Sequence, residues 1–230
     1  AFRNGYRIFR GGNYRDLPKT YGALVALKEL NGNLMAVMEN GVLLIPVNER
    51  ALAGEGDGGS IYINTSNVLP ENPRGLSNTY GSIWKDSVIQ TVGLIYGIDT
   101  VAKKIWKTDG SSFEIISDLK VQKFLNDNIN LNESDKIPQI DFKNVKTHFN
   151  AFKGDVMFTF YTDEIKWNLC YNEKLEKFIT FYSWTPVLSE NINNIFFSFD
   201  LNDIKSSIAL KENVESINKL ELYNNGHNKN

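Results

Sequence analysis

Short apolar segments separated by turn residues set the pattern of the N-terminal part of the chain. The apolar residues of segments 23–28, 34–39 and 42–47 run almost without interruption, which predicts three short strands buried on both faces. Asn31-Gly32 and Asn40-Gly41 separate these segments, and both pairs are typical of type I′ turns, which need positive φ at two successive residues. The pattern therefore predicts a three-stranded antiparallel meander.

A second group of strands follows in the central part of the chain. Segments 87–91 and 92–98 are rich in apolar residues, and segments 104–107 and 113–116 are predicted to pair as a hairpin. The hairpin turn contains Asp109-Gly110, another pair typical of a type I′ turn.

A third group repeats this plan at an offset of about 60 residues. Segment 156–161 is one apolar strand, and segments 167–171 and 178–183 form a hairpin around residues 172–177. Both groups run strand, polar break, Trp-bearing strand, turn and aromatic strand. Such self-similar sheets predict the blades of a β-propeller. Two or three blades are visible, whereas a closed propeller has about 4–8, so the pattern predicts an incomplete propeller.

One α-helix is predicted, over residues 118–128. Val121, Phe124 and Leu125 follow the i, i+3, i+4 spacing of an apolar helix face. Asp118 is a suitable N-cap because its carboxylate can accept hydrogen bonds from the first turn.

The remaining segments give weaker signals. The glycine-rich segment 54–59 has too few oxygen ligands for a calcium loop and is predicted to be a surface loop. The other predictions are a short strand at 60–64, a connector at 64–79, a strand at 195–200, and either a helix or a polar loop at 204–220.

These elements suggest a mainly β chain in five parts. Its predicted parts are an extended basic arm over 1–19, a first β-meander or blade region over 20–118, a helix and linker over 119–143, a second blade region over 144–200, and a polar C-terminal segment over 201–230.

Composition narrows the class of protein. The chain has 230 residues, of which 42% are hydrophobic and 12% aromatic, enough for a substantial core. A net charge of −2 argues against a protein that binds polyanions through bulk charge. A single cysteine, Cys170, excludes an internal disulfide and is predicted to be a buried thiol. No apolar run reaches the roughly 18 residues of a membrane-spanning helix.

Few side chains are candidates for catalysis or metal binding. Of the two histidines, only His148 lies in a predicted element, where a strand-edge role is expected, and the chain has no nucleophile, P-loop or dinucleotide motif. One cysteine and two distant histidines cannot form a closed zinc site. We therefore predict no catalytic, cofactor-binding or metal-binding residue. A glycoside hydrolase would instead need two converging carboxylates, from among Asp86, Asp99, Asp109, Asp155, Asp163 and Glu164.

Aromatic and basic residues leave two further readings open. Trp84, Trp106, Trp167 and Trp184 are expected to anchor the blade cores, with sugar stacking as the alternative. The arm at 1–19 interleaves arginines with aromatic residues, which suits contact with a neighbouring chain and, less well, nucleic acid.

Three sequence blocks carry a resemblance to a known family. YGSIWKDSVIQT (80–91), GLIYGIDTVAKKIWK (93–107) and YNEKLEKFITFYSWTP (171–186) resemble the tail muzzle, or phage stabilisation, protein of crAss-like bacteriophages. The resemblance extends over roughly residues 6–199 and implies a fragment of a longer protein. It implies a structural virion protein of a short-tailed phage, in the distal tail around the DNA exit channel.

That resemblance also carries expectations about chemistry and partners. It implies no enzymatic activity and no cofactor. The expected partners are other copies of the chain, other segments of the same precursor and neighbouring tail proteins, without sequence-specific nucleic acid binding or a membrane span. The alternatives are a carbohydrate- or receptor-binding tail module and a hydrolase.

Overall fold

The protein is built mainly from antiparallel β-sheets, as predicted. Within the described residues, three sheets have four strands, one has three, and a two-stranded hairpin forms a separate sheet. The computed structural model describes residues 16–46, 50–53, 61–64, 73–130, 145–161, 165–193, 195–199 and 210–212.

The first sheet contains the predicted meander and adds a fourth strand to it. The residues of that fourth strand, β6, fall in the segment predicted to be a connector, so this prediction was wrong there. A proline lies just before β6, which is acceptable because β6 is an edge strand. The strands are β1 (Leu24–Leu30), β2 (Asn33–Met38), β3 (Gly41–Pro46) and β6 (Arg74–Ser77), and the separate hairpin pairs β4 (Arg50–Ala53) with β5 (Ile61–Asn64).

Only one of the three predicted type I′ turns has that conformation. Asn31 and Gly32 both have positive φ, at 53° and 77°, which confirms the type I′ prediction there. Between β2 and β3 the turn residues are Glu39 and Asn40, neither of which has a positive φ. Gly41 belongs to the strand, where a Cβ would overlap the ring of Tyr21.

The Asp-Gly turn was also predicted wrongly. Gly110 has a positive φ of 86°, but Asp109 does not. Its carboxylate Oδ1 instead accepts hydrogen bonds from the backbone N–H groups of Ser111 (2.8 Å) and Ser112 (2.6 Å). An aspartate side chain bonded to the following backbone stabilises a turn without a second positive φ.

The second and third sheets share the predicted plan. Trp106 lies in the third strand of the second sheet and Trp167 in the third strand of the third sheet, and both are buried. The second sheet comprises β7 (Ile89–Gln90), β8 (Ile95–Asp99), β9 (Lys104–Thr108) and β10 (Phe113–Ile115), and the third comprises β11 (Lys146–Asn150), β12 (Asp155–Tyr161), β13 (Lys166–Asn172) and β14 (Lys177–Tyr182).

A short helix follows the second sheet. The α-helix α1 spans Gln122–Asn128, and a 3-10 turn spans Ser117–Leu119 before it. Asp118 is therefore not the N-cap, and its carboxylate pairs with Lys104 instead. The apolar face predicted from the i, i+3, i+4 spacing is confirmed, because the helix packs into the core through it. Leu125 is fully buried, Val121 at the N-cap is buried, and Phe124 packs edge-on against Trp167.

The fourth sheet closes the described part of the chain. It contains β15 (Leu188–Ile192), β16 (Ile195–Phe199) and β17 (Leu210–Glu212), so the strand predicted at 195–200 is confirmed. The helix-or-loop prediction for 204–220 is wrong for Leu210–Glu212, which pairs antiparallel with β16. Ladder pairing with a strongly apolar strand has overridden the weak local preference.

The four sheets pack in series, each against the next along the chain. Alternate residues of one strand therefore enter different cores. In β12, Val156 and Phe158 pack against the second sheet, whereas Met157 packs against Phe196 of the fourth sheet. In β9, Ile105 faces the third sheet and Trp106 faces the first.

The expectation of burial on both faces fails for β1. Most of β2 is buried, as predicted, but Leu24 and Leu27 of β1 are about half exposed. β1 is an edge strand of the first sheet and faces a groove rather than a neighbouring strand.

Several predictions lie outside the described residues. These are the structure of the arm before residue 16, the loop at 54–59, the part of the 119–143 helix-and-linker region after residue 130, the part of segment 204–220 other than 210–212, and the places of Asp163 and Glu164. The division into five parts and the closure of the sheets into a propeller stay predictions.

Candidate functional site

The first strands of all four sheets line one groove of about 490 Å³. β1, β7, β11 and β15 each open an antiparallel meander, and each lies at an edge of its sheet. Residues far apart in the chain therefore meet at one surface. The groove combines charged and apolar side chains from residues 24–28, 85–89, 146–148 and 187–189.

The groove carries positive charge. Lys28 comes from β1, Lys85 from the turn before β7, and Lys146 from β11, against a single carboxylate, Asp86. Because His148, at the same surface, is neutral at pH 7, the lining has a net charge of +2. Burial lowers the pKa of Lys28, since the groove desolvates its ammonium group.

Two contacts fix the second sheet to the third at the groove. The ammonium group of Lys146 lies 3.0 Å from Asp86 Oδ2, an ion pair across the two sheets. The hydroxyl of Thr147 donates a hydrogen bond of 2.7 Å to the carbonyl oxygen of Ser87. The first strands therefore hold defined positions around the groove.

His148 joins the third sheet to the fourth. Its Nε2 lies 2.9 Å from the carbonyl oxygen of Pro186 and its Nδ1 lies 2.7 Å from the hydroxyl of Ser189. A carbonyl only accepts, so Nε2 carries the proton and Nδ1 accepts from Ser189. Burial lowers the pKa of His148 to about 4. The predicted strand-edge position is correct, but the ring is buried and joins the two sheets through hydrogen bonds.

The candidate carboxylates that the structure describes form hydrogen bonds or ion pairs within the fold. Asp99 is buried and accepts hydrogen bonds from the backbone N–H groups of Gly81 (3.2 Å), Val101 (3.0 Å) and Ala102 (2.8 Å). Burial raises the pKa of Asp99, and these three donors oppose that effect. The carboxylate therefore closes the turn after β8 and holds the loop near Gly81.

The three other candidate carboxylates that the structure describes also have partners within the fold. Asp155 Oδ1 accepts a hydrogen bond of 2.7 Å from the side-chain amide of Asn172, its neighbour across the β12–β13 ladder. Asp109 holds its own turn, and the hydrogen bonds from Ser112 and Ser111 lower its pKa. Asp86 pairs with Lys146 at the groove.

The tryptophans lie in the cores, as expected. Trp84, Trp106 and Trp167 are buried, and Trp184 is half-buried against Phe196. The indole N–H of Trp84 donates to Thr100 Oγ1 at 3.0 Å, and that of Trp106 donates to the Gly81 carbonyl at 2.8 Å. A ring with both faces in the core cannot stack on a sugar.

Cys170 is a buried thiol, as predicted, and it packs between the third and fourth sheets. No cluster of three or more histidine, cysteine, aspartate or glutamate side chains that could hold a metal ion occurs among the described residues. In the same part of the chain, no helix combines the length and apolar character needed to cross a bilayer.

Sequence reasoning missed the groove, although a signal was present. Lys28, Lys85 and Lys146 recur near the roughly 60-residue repeat of the sheets, each on or beside a first strand. Their spacings of 57 and 61 residues are close to that repeat, although the three lysines lie at different positions relative to the starts of their strands.

Comparison with known proteins identifies the class of protein to which this chain belongs. A family model described as Crassvirus muzzle protein matches residues 5–202. This range contains all the strands described above except β17, the last strand of the fourth sheet. The chain belongs to that family, and it is a structural component of the virion tail of crAss-like bacteriophages. No curated protein matches the chain.

Proposed function

We propose that this chain forms part of the wall of the distal tail assembly around the DNA exit channel, with its four sheets acting as blades of a β-propeller. The observation that carries the proposal is the convergence of four first strands on one groove. In a propeller, each blade is an antiparallel meander and the blades surround a central channel. Muzzle family membership supplies the virion context.

The packing between sheets suits a passive, load-bearing role. Ion pairs and hydrogen bonds such as Lys146–Asp86 join neighbouring sheets, and a buried aromatic core fills the space between them. The described carboxylates discussed above are bonded within the fold, so this proposal includes no catalytic step.

An exposed sheet edge supports contact with other chains. β14 is the outer edge of the third sheet, and its Ile179 and Phe181 are 41% and 50% exposed. An edge strand with exposed apolar side chains favours pairing or packing with another chain. We propose that other copies, other segments of the same precursor, or neighbouring tail proteins cover this edge.

Electron cryo-microscopy of the intact virion tests the proposed position. We expect density for the four sheets at the distal end of the tail, next to the axial channel, with β14 against a second polypeptide. Density for the sheets in the capsid, or in a fibre away from the channel, would contradict the proposal.

A further inference from the structure

We propose that the groove between the first strands is a docking site for an extended acidic peptide of a partner protein. In this arrangement, Lys28 and Lys85 bind a carboxylate of the peptide. Apolar side chains of the peptide lie on the leucines of the groove wall. This inference does not depend on the role at the exit channel, because the groove is formed by the chain itself.

The charges of the groove select an acidic ligand. Lys146 already forms an ion pair with Asp86, whereas no ion pair joins Lys28 or Lys85 to a carboxylate of the described residues, and the charge of Asp86 only partly offsets the effect of burial on the pKa of Lys28. Lys28 is half-buried, and its burial disfavours the charged form. A carboxylate brought into the groove would stabilise that charge, and charge complementarity of this kind selects partners.

The walls of the groove select an apolar component. Leu24, Leu27 and Leu188 are 50%, 51% and 46% exposed, and all three line the groove. These leucines come from β1 of the first sheet and β15 of the fourth, so they form part of both walls. Covering them would remove apolar surface from water.

The backbone around the groove suits an extended chain. β1, β11 and β15 are edge strands, so each has one side without a partner strand in its own sheet. An extended peptide can satisfy such an edge by adding a strand, with alternate side chains entering the adjacent pocket. A peptide that alternates apolar and acidic residues would present one kind of side chain to each side.

The groove fits a peptide better than nucleic acid. Its volume of about 490 Å³ lies in the usual range for small binding pockets, about 300–1,000 Å³. Single-stranded nucleic acid is normally held by aromatic side chains that stack on the bases. The lining residues include no phenylalanine, tyrosine or tryptophan.

Fluorescence anisotropy can test the proposal with the full 230-residue chain. The probe is a fluorescein-labelled eight-residue peptide in which leucine and glutamate alternate. We expect saturable binding that weakens as salt is added. The double substitution Lys28→Gln, Lys85→Gln should weaken binding about tenfold, or about 1.4 kcal/mol. Lys123→Gln on the exposed face of α1 is the matched control and should leave binding unchanged.

Further variants separate charge from apolar contact. Leu27→Ser should weaken binding while the melting temperature stays near that of the parent, because Leu27 is about half exposed. The single substitution Lys85→Gln, at an exposed position, repeats the charge test if the double variant unfolds. Asp86→Asn should tighten binding, since it removes the one negative charge of the groove.

Three results would overturn the proposal. The first is no saturable binding of the leucine–glutamate peptide. The second is equal binding of a peptide in which lysine replaces glutamate, or an equal effect of Lys123→Gln. The third is tighter binding of labelled oligothymidylate than of the acidic peptide, which would assign the groove to single-stranded nucleic acid.

Discussion

The indole ring of Trp106 lies against the backbone of Gly97, its partner in the β8–β9 ladder. A Cβ at residue 97 would overlap the five- and six-membered rings of the indole. The same indole stacks on Phe113, with 5.3 Å between ring centroids, and donates its N–H to the Gly81 carbonyl. The glycine therefore makes room for the side chain that fills the core between the first and second sheets.

Replacing Gly97 by alanine should destabilise the protein by about 1–3 kcal/mol, because the added methyl group must displace a packed indole. Chemical denaturation monitored by tryptophan fluorescence measures the change. Gly93→Ala is the matched control, since a Cβ there would have no neighbour within 4 Å. Equal stability of the two variants would contradict this account of Gly97.

Trp106 and Trp167 should each contribute strongly to stability, because they occupy equivalent places in two successive sheets and both are buried. Truncation of either one to alanine should lower the free energy of unfolding by about 3–5 kcal/mol. Val92→Ala, at a residue that is 92% exposed, should change it by less than about 0.5 kcal/mol. Parent-like melting of both tryptophan variants would rule out this role.

The stability of the protein should fall as the pH falls from about 6.5 to about 4. Burial lowers the pKa of His148 from 6.5 to about 4, so the unfolded chain binds a proton over this range that the folded chain does not. This contribution is complete above pH 6.5, is lost on acidification, and levels off below pH 4, with a total of about 3 kcal/mol.

The variant His148→Gln isolates this contribution from the titration of carboxylates. Its free energy of unfolding, measured by urea denaturation from pH 4 to pH 8, should depend less steeply on pH than that of the parent. Since glutamine does not titrate, the free energy of unfolding of the parent minus that of the variant should fall by about 3 kcal/mol as the pH falls from 6.5 to 4. Parallel curves across this range would show that His148 does not titrate as the structure implies.

No release of reducing sugar is expected when the chain is incubated with bacterial surface polysaccharide or peptidoglycan. Asp99 and Asp155 are engaged by backbone and side-chain donors, which leaves them unsuited to act as a proton donor and its partner. Reducing-end assays measure the release. Turnover that disappears with Asp86→Asn or Asp155→Asn would show that the protein is an enzyme.

The strands were predictable where local signals and tertiary packing agree. Asn31-Gly32 fixes a two-residue turn by itself, because both residues can adopt positive φ without strain. Asn40-Gly41 looks the same in sequence, yet Gly41 serves the ring of Tyr21, which lies close by only in the folded chain. The dipeptide alone does not show whether its glycine provides a positive φ, as Gly32 does, or leaves space for a neighbouring side chain, as Gly41 does.

The features that failed depend on contacts between distant residues. β17 forms because it pairs with β16 through backbone hydrogen bonds. Asp118 does not cap the helix because its carboxylate pairs with Lys104 of the second sheet. The groove needs four strands from four sheets, and no local window of sequence contains more than one of them. The repeat of Trp-bearing strands could be seen in the sequence, but the groove that the first strands line could not.

The serial packing of the sheets has a mechanical consequence. Because each sheet shares a core only with its neighbours along the chain, a pulling force would break the weakest shared core first. Among the described residues, the core between the third and fourth sheets has three buried members, Met157, Cys170 and Phe196, whereas the core between the second and third sheets is much larger. Under tension the fourth sheet would detach as a unit while the core between the second and third sheets stayed intact. Detachment of this sheet would therefore relieve the force before the larger core is broken.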